Sequence, residues 1–463
     1  MMPAPTPNGQ AARYVIVPGF FLSTLLLRIW GVSTWFWLLG DQIRDWAIAL
    51  GPFSQLPLVG PATHVSGYTV GPAFYWILWL IRVVVGPWFD NLPHAGGIGQ
   101  AIVQSGADAL LLVAIWQRTR SLLIALVTMV LVTTSAYDLA LAPLVWNPVM
   151  GSTIAKIALA LVLLDWDRGS AWRVAATAAV AWIAVHAYTG AIFVAVSVFV
   201  ALLLDPVLSR NWRAAGRQAA LVALAVLLLQ IPYAAHQVLN RFSDRSMGAV
   251  TDSVTRVLTG QAAPEVSKSI AGLTDAVTFI QIAPWHAPLV LWVLVACGLS
   301  VGAAYRRDPR LLCMTLMPPL MAVAGYAFFL AGLDNYYYLS LMPPVVLTVV
   351  LALTLPGVAP ADRWTRPAAA VLLAITLVLV PSRVRFASKL HRMPEYAAIV
   401  TASRAMVNRH QPLRGVETSF PLEPTSDPAF VYRILGGPID PASEWIGVIE
   451  ADGGVRYRRA DGS

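Results

Sequence analysis

Long runs of apolar residues, separated by short polar segments, dominate the pattern along this chain. A helix that crosses the hydrocarbon core of a bilayer needs about 20 predominantly apolar residues. The runs therefore predict an all-α polytopic membrane protein with a bundle of about eleven transmembrane helices. These helices are predicted at residues 14–27, 98–116, 122–136, 148–164, 174–185, 189–204, 219–235, 287–304, 311–330, 339–355 and 368–380.

A twelfth apolar run, residues 70–85, is predicted to lie along the outer membrane surface instead of crossing. Short loops rich in Lys and Arg stay on the cytoplasmic side. With eleven crossings, every Arg-rich loop falls on the side of Arg13, whereas a twelfth crossing would move all of them outside. The aromatic residues of this run and Arg82 also suit an interfacial helix. The Arg-rich loops are residues 117–121, 165–173, 205–218, 305–310 and 362–366.

The same topology divides the chain into a transmembrane domain, residues 1–381, and a polar C-terminal region, residues 382–463. Within the first, residues 28–97 form a large outer loop that includes juxtamembrane helices, and residues 236–286 form a second. The C-terminal region predicts a small extracytoplasmic α/β domain. Its predicted elements are a helix at 394–409 and strands at 415–420, 430–436 and 444–457, the last folded as a hairpin at Asp452-Gly453-Gly454.

Composition agrees with a membrane protein. Of the 463 residues, 57% are hydrophobic and 12% are charged, whereas soluble domains carry about 25% charged residues. The net charge of +8 comes from Lys and Arg in short loops between apolar runs, which is a topological signal and not a nucleic-acid patch. Cys297 and Cys313 both lie in apolar segments, so they predict neither a disulfide framework nor a thiol metal site.

Acidic side chains follow the first apolar segment closely. Asp41 is placed at the membrane surface, where a carboxylate can accept the proton of an attacking hydroxyl or amine. Asp45 lies four residues on and would share a helical face with Asp41, and such like charges raise one pKa. A salt bridge between Asp45 and Arg44, or a solvated position, is the alternative for Asp45. The sequence therefore offers Asp41, with Asp45 beside it, as a catalytic base.

Two charged residues fall inside predicted crossings. Asp108 and Lys156 lie about 15 Å and 12 Å from the outer ends of their helices, at about 1.5 Å per residue. Similar depths allow them to pair inside the bundle. A proton or substrate path is the alternative, and it is the main sequence support for a transporter.

Four short motifs occur in a distinctive order on this topology. They are Gly40-Asp41-Gln42, Gly71-Pro72-Ala73-Phe74-Tyr75-Trp76, Trp146-Asn147-Pro148, and Asn335-Tyr336-Tyr337 ahead of Pro343-Pro344. Over residues 14–344 the chain resembles the GT-C glycosyltransferases that use polyprenyl-phosphate sugars, in particular the protein O-mannosyltransferases and the lipid A aminoarabinose transferase. The resemblance implies the general-base role for Asp41. The family has a paired Asp-Glu where this sequence has Asp41-Gln42, and Asp45 is the substitute carboxylate.

The resemblance implies a membrane glycosyltransferase. It would move a sugar from a polyprenyl-phosphate donor to a cell-envelope acceptor on the outer face of the plasma membrane, with membrane lipid as a further partner and without nucleic acid. A departing phosphate needs cationic or hydrogen-bonding groups. The candidates for binding the donor are His64, Tyr68, Arg241, Arg245, His286, Tyr336 and Tyr337.

Two other hypotheses compete with that of a glycosyltransferase. A transporter or flippase of a lipid-linked sugar would need polar groups at the midplane and, often, internal repeats, and the sequence shows no repeat. An inactive scaffold related to the transferases is conceivable because of Gln42. No metal-ligand set is identified; His186 and His236 are more typical of interface residues, and a divalent cation is left open.

Overall fold

The fold is helical, with a small sheet near its end. The structure is a computed structural model that describes residues 7–32, 40–63, 67–243, 245, 248–277, 308–330, 332–354, 362–390, 393, 395–422 and 427–461. The helices are α1 Pro7–Ile29, α2 Gly40–Ala49, α3 Ala73–Val84, α4 Leu92–Thr119, α5 Leu122–Thr133, α6 Ala136–Ala140, α7 Asn147–Leu163, α8 Ala171–Ala187, α9 Ile192–Leu208, α10 Trp212–Leu239, α11 Gly248–Leu258, α12 Val266–Val277, α13 Pro309–Thr315, α14 Met317–Ala327, α15 Met342–Thr354, α16 Asp362–Ala387, α17 Glu395–Val407 and α18 Pro428–Ile434.

Five helical segments of the described chain are long and apolar enough to cross a membrane, and the bent pair α13 and α14 makes up to six. Shorter apolar helices coincide with several other predicted crossings, among them α5, α7 and α8. The predicted crossing at residues 287–304 lies outside the described residues. The described residues therefore contain several helices that can cross a membrane, whereas the count of eleven transmembrane helices stays a prediction.

The run predicted to lie on the membrane surface forms the short helix α3. Its 12 residues span about 18 Å at about 1.5 Å per residue, against a hydrocarbon core of about 30 Å. It packs beside α2, which is also short with 10 residues. Arg82 joins the two helices, because its Nη1 donates to the carbonyls of Ala49 at 2.6 Å and Gly51 at 3.0 Å. The first outer loop therefore contains two short helices that are fixed to each other.

Four of the five Arg-rich loops meet in one ionic cluster, which confirms that these loops share a face. Arg118 binds Asp165 at 2.8 Å and Asp308 at 2.5 Å. Arg310 binds Asp167 at 2.8 Å, and Arg168 binds Asp205 at 2.8 Å. These contacts join the ends of helices α4, α7, α9 and α13 on the side opposite the first outer loop.

Asp108 and Lys156 pair inside the bundle, as their depths predicted, with Nζ 2.9 Å from Oδ1. The pair belongs to a larger buried cluster, because Lys156 also contacts Asp138 at 3.0 Å and Arg28 contacts both carboxylates. Ser105 accepts a hydrogen bond from Arg28 at 2.9 Å. We call Arg28, Asp108, Asp138 and Lys156 the buried quartet. It links α1, α4, α6 and α7.

The C-terminal region forms the predicted α/β unit. Strands β1 Gly415–Thr418, β2 Trp445–Ile449 and β3 Val455–Arg459 form a sheet in the order β1-β2-β3, with β1 parallel and β3 antiparallel to β2. The helix at 395–407 and the hairpin are confirmed.

The strand predicted at 430–436 is wrong, because α18 occupies Pro428–Ile434. Asp427 accepts a hydrogen bond from the Ala429 amide at 2.9 Å, and Pro428 stands in the first turn. Both features start helices.

The C-terminal unit docks on the end of the first outer loop. The Tyr396 hydroxyl donates to Asn91 Oδ1 at 3.0 Å, and both residues are buried. The Tyr396 ring also contacts the His94 ring, with 5.4 Å between centroids. Arg404 forms an exposed ion pair with Asp90. These contacts place the C-terminal unit on the same side of the bundle as residues 90–94.

Candidate active site

A large cavity lies between the first outer loop and the helical bundle. Its volume is about 700 Å³, in the range of sites that hold whole small-molecule ligands. Most of its wall is apolar or aromatic. Its described lining residues are Asp41, Arg44, Ala62, Thr63, Thr69, Val70, Trp146, Asn147, Pro148, Trp182, Val185, Tyr188, Thr189, Gly190, Ile192, Phe193, Gln230, Ala249, Val250, Val254, Gly325, Tyr326, Phe329, Tyr336 and Tyr337.

Two charged side chains, Asp41 and Arg44, belong to this described lining, and both come from α2. Asp41 lies in the first turn of that helix, where a negative charge is favoured by the helix dipole. Its side chain is 57% exposed, and Arg44 Nη1 lies 2.9 Å from Asp41 Oδ1. Asp41 therefore offers an accessible carboxylate to the cavity, with a guanidinium beside it.

Asp45 lies behind this pair and is 2% exposed. Its Oδ1 accepts hydrogen bonds from Arg44 Nε at 3.0 Å and from the Tyr75 hydroxyl at 3.0 Å. Burial raises the pKa of Asp45 to about 6, against the opposing effect of Arg44. Burial and the neighbouring Asp45 carboxylate also raise the pKa of Tyr75. Asp45 thus forms the salt bridge with Arg44 that the sequence left as an alternative, and it is not part of the cavity lining.

Aromatic rings form a continuous part of the cavity wall. Trp146 contacts Tyr336 with 4.8 Å between ring centroids, and Tyr336 stacks on Tyr337, also at 4.8 Å. Tyr188 packs against both tyrosines at 6.4 Å and 6.2 Å. The tyrosines lie in a 3-10 segment, Asn335–Leu341, which follows the extended residue Asp334. Two separate motifs of the sequence, at residues 146–148 and 335–337, therefore meet at one wall.

The remaining candidate donor ligands do not line the cavity in the described part of the chain. The Tyr68 ring makes an edge contact with His236, at 6.2 Å between centroids. Arg241 is exposed just after α10 with a positive φ of 52°, and Arg245 follows it. His64 and His286 lie outside the described residues.

Sequence reasoning missed several polar contributions. Arg44 was considered only as an ion-pair partner, although it also lines the cavity. Gln230 from α10 reaches the wall; with its amide oriented to satisfy both partners, it donates to the Val70 carbonyl at 2.9 Å and accepts from Trp182 Nε1 at 3.3 Å. A glutamine within an apolar helix was the available signal.

The described residues contain no group of three or more His, Cys, Asp or Glu side chains arranged to hold a metal ion. What the lining can do is bind a large, mostly apolar ligand, accept a proton at Asp41 and contact an anion at Arg44.

No protein-family model matches the chain, and no curated protein matches it. The crystal structure of ArnT from Cupriavidus metallidurans bound to undecaprenyl phosphate is similar over 93% of this chain and 87% of that chain, with 14% sequence identity and a TM-score of 0.51. An oligosaccharyltransferase of Archaeoglobus fulgidus, crystallised with Zn and sulfate, is similar over 94% of this chain and 67% of that one, with 12% identity and a TM-score of 0.47. The likeness to the first of these structures shows that the chain has a GT-C-like fold.

Proposed function

We propose that this protein is a membrane glycosyltransferase that moves a sugar from a polyprenyl phosphate to a cell-envelope acceptor. One observation carries the proposal: the large cavity of a GT-C-like fold is lined by an exposed carboxylate, a guanidinium and an aromatic wall. The ArnT structure of the same fold holds undecaprenyl phosphate, which supports a polyprenyl-phosphate ligand here. We place the protein in the plasma membrane, with the cavity and residues 382–463 on the outer side.

The proposed reaction inverts the anomeric carbon. The acceptor oxygen or nitrogen attacks that carbon while Asp41 takes the acceptor proton. The bond between the anomeric carbon and the phosphate oxygen breaks, and the polyprenyl phosphate leaves with the bonding electron pair. Arg44 lies beside Asp41 and stabilises the negative charge that develops on the phosphate. Tyr336 and Tyr337 contact the donor from the aromatic wall.

The test is a transfer assay with a series of radiolabelled polyprenyl-phosphate sugars and cell-envelope fractions as acceptors. We expect transfer by the wild type and a loss of about 100-fold or more for Asp41→Asn, which removes the base and keeps the side-chain volume. Asp440→Asn is the matched control, because Asp440 is exposed in the C-terminal unit. Full transfer by Asp41→Asn would remove Asp41 as the base, and no transfer from any such donor would overturn the activity.

The rival transporter function has lost its main support. Asp108 and Lys156 suggested a polar path, yet they bind each other within the buried quartet, whose side chains are at most 8% exposed. A flux measurement with a lipid-linked sugar in proteoliposomes separates the two functions, and we expect no flux above that of empty vesicles.

A further inference from the structure

Asp45 is a buried carboxylate that the proposed reaction does not use. It lies on α2 one residue after Arg44, and adjacent positions on a helix do not normally face each other. Here the long Arg44 side chain turns back, so that Nε and Nη2 lie 3.0 Å and 2.9 Å from Asp45 Oδ1. Asp45 therefore fixes the plane of the guanidinium.

Tyr75 fixes Asp45 in turn. Its hydroxyl donates to the same Oδ1 at 3.0 Å, and Tyr75 belongs to α3, the other juxtamembrane helix. Arg82 joins α3 to the end of α2 independently. A chain of contacts thus runs from Tyr75 through Asp45 and Arg44 to Asp41, and only its last two members line the cavity.

We propose that Asp45, held by Tyr75, is a positioning residue that sets the Arg44 guanidinium between Asp41 and the anionic group of the bound ligand. The inference rests on the proposed function. Nη1 contacts Asp41 and Nη2 contacts Asp45, and each terminal nitrogen of a guanidinium carries a second N–H. In this proposal, one of these N–H groups donates to a phosphate oxygen in the cavity. Without an ionised Asp45, Arg44 keeps Asp41 as its single carboxylate partner, and its orientation changes.

This arrangement gives the site a dependence on pH. The charged or titratable groups that act on Asp45 in the described structure are Arg44, Tyr75 and Asp41. Burial raises the pKa of Asp45 to about 6, so the carboxylate is ionised and binds Arg44 above that pH. Below it, the protonated carboxyl binds Arg44 less strongly, and the wild type behaves like a variant with a neutral residue at this position.

The experiment compares the transfer rate of the wild type with that of Asp45→Asn between pH 5 and pH 8. We expect kcat of the variant to be up to about 100-fold lower at pH 8, because small misplacements of catalytic groups have effects of that size. The ratio of the two rates should fall towards one below pH 6. The ratio cancels the titration of Asp41 and other groups that both proteins share. A ratio that does not depend on pH, or a variant within twofold of the wild type at pH 8, would overturn the inference.

Tyr75→Phe keeps the ring and removes the hydroxyl, so it tests the same chain of contacts with little risk to folding. We expect a loss of up to about tenfold, which corresponds to one hydrogen bond, and no further loss when it is combined with Asp45→Asn. Tyr432→Phe is the matched control, since that hydroxyl donates to the Gln411 carbonyl in the C-terminal unit. Additive losses in the double variant would contradict the proposal.

A second readout separates this inference from the proposed function. Binding of undecaprenyl phosphate needs no catalysis and can be followed by the change in tryptophan fluorescence, to which Trp146 and Trp182 in the cavity wall contribute. If the wild type transfers no sugar, the proposed function fails, while the inference is still decided by the ratio of dissociation constants of wild type and Asp45→Asn. That ratio must change between pH 5 and pH 8 for the positioning role to stand.

Discussion

Two clusters in this protein use the same side chains in opposite ways. The buried quartet contains two cations and two carboxylates that are at most 8% exposed. The cluster of Asp41, Arg44 and Asp45, which we call the cavity triad, has one cation for two carboxylates and opens to the cavity. Charges sealed in balanced pairs hold helices together, whereas the exposed side chains of Asp41 and Arg44 are accessible to a ligand. A charged side chain in or near the membrane is therefore not identified as functional by its position alone.

The largest effect is expected from breaking the quartet. Lys156→Met leaves Asp108 and Asp138 with Arg28 as their shared partner, and uncompensated buried charges destabilise by about 3 to 5 kcal/mol. Thermal unfolding in detergent measures this loss. The double variant Asp108→Asn with Lys156→Met removes one charge of each sign and should regain part of the stability. An unchanged unfolding temperature for Lys156→Met would end the distinction between the two clusters.

The next largest effect is expected in the cavity triad, where Asp45 makes the free energy of unfolding depend on pH. Burial raises the pKa of Asp45 from 3.8 to about 6, so between pH 4 and pH 6 the folded protein binds more protons at this group than the unfolded chain. The stability that this group contributes therefore falls as pH rises through that window and is constant above it. Relative to the wild type, Asp45→Asn should gain about 2 kcal/mol between pH 4 and pH 7. Parallel stability curves for the two proteins would contradict this.

Arg44→Gln should separate the effect of the cavity triad on ligand binding from its effect on the stability of the protein. Arg44 is 37% exposed, so below pH 6, where the buried Asp45 is protonated, its loss changes the free energy of unfolding by about 1 kcal/mol or less. Binding of undecaprenyl phosphate should weaken about 10- to 100-fold, because a hydrogen bond to a charged group is lost. Titration by fluorescence measures it, with Arg414→Gln in the C-terminal unit as control. Wild-type affinity in Arg44→Gln would remove the triad from the binding site.

The smallest effect is expected on the opposite face. Arg168 is 47% exposed and binds Asp165 and Asp205. Arg168→Gln should lower stability by at most about 1 kcal/mol, as is usual for exposed ion pairs, and should leave transfer unchanged. A loss as large as that of Lys156→Met would show that exposure does not separate structural from dispensable charges in this protein.

The sequence predicted what depends on local pattern. Apolar runs located the long apolar helices that the structure describes, Arg-rich loops indicated the face that four of those loops share, and helical rise gave the matching depths of Asp108 and Lys156. Arg28 was assigned to the outer loop, whereas it lies inside the bundle. Its buried partners Asp108 and Asp138 are 80 and 110 positions away in the sequence. No periodicity reports contacts at such distances.

The candidate site was predicted only in part, because some of its contacts join residues that are far apart in the sequence. Asp41, Tyr336 and Tyr337 do line one cavity, and their motifs were visible in the sequence. Helical spacing placed Asp45 on the face of Asp41, but it could not show that Tyr75 and Arg44 enclose Asp45. At 430–436, β-branched and aromatic residues indicated a strand, whereas the helix start signal at Asp427 and Pro428 prevailed.

The contact between Tyr396 and Asn91 has a consequence for biosynthesis. The two residues are 305 positions apart, so the ribosome needs roughly 15 to 60 s to make the second after the first, at about 5 to 20 residues per second. During that time, Asn91 and the two short helices that precede it exist without the contact to Tyr396. Residues 90–94 are thus completed late in synthesis, and a chain that ends before Tyr396 lacks the side chain that accompanies Asn91 in its buried position.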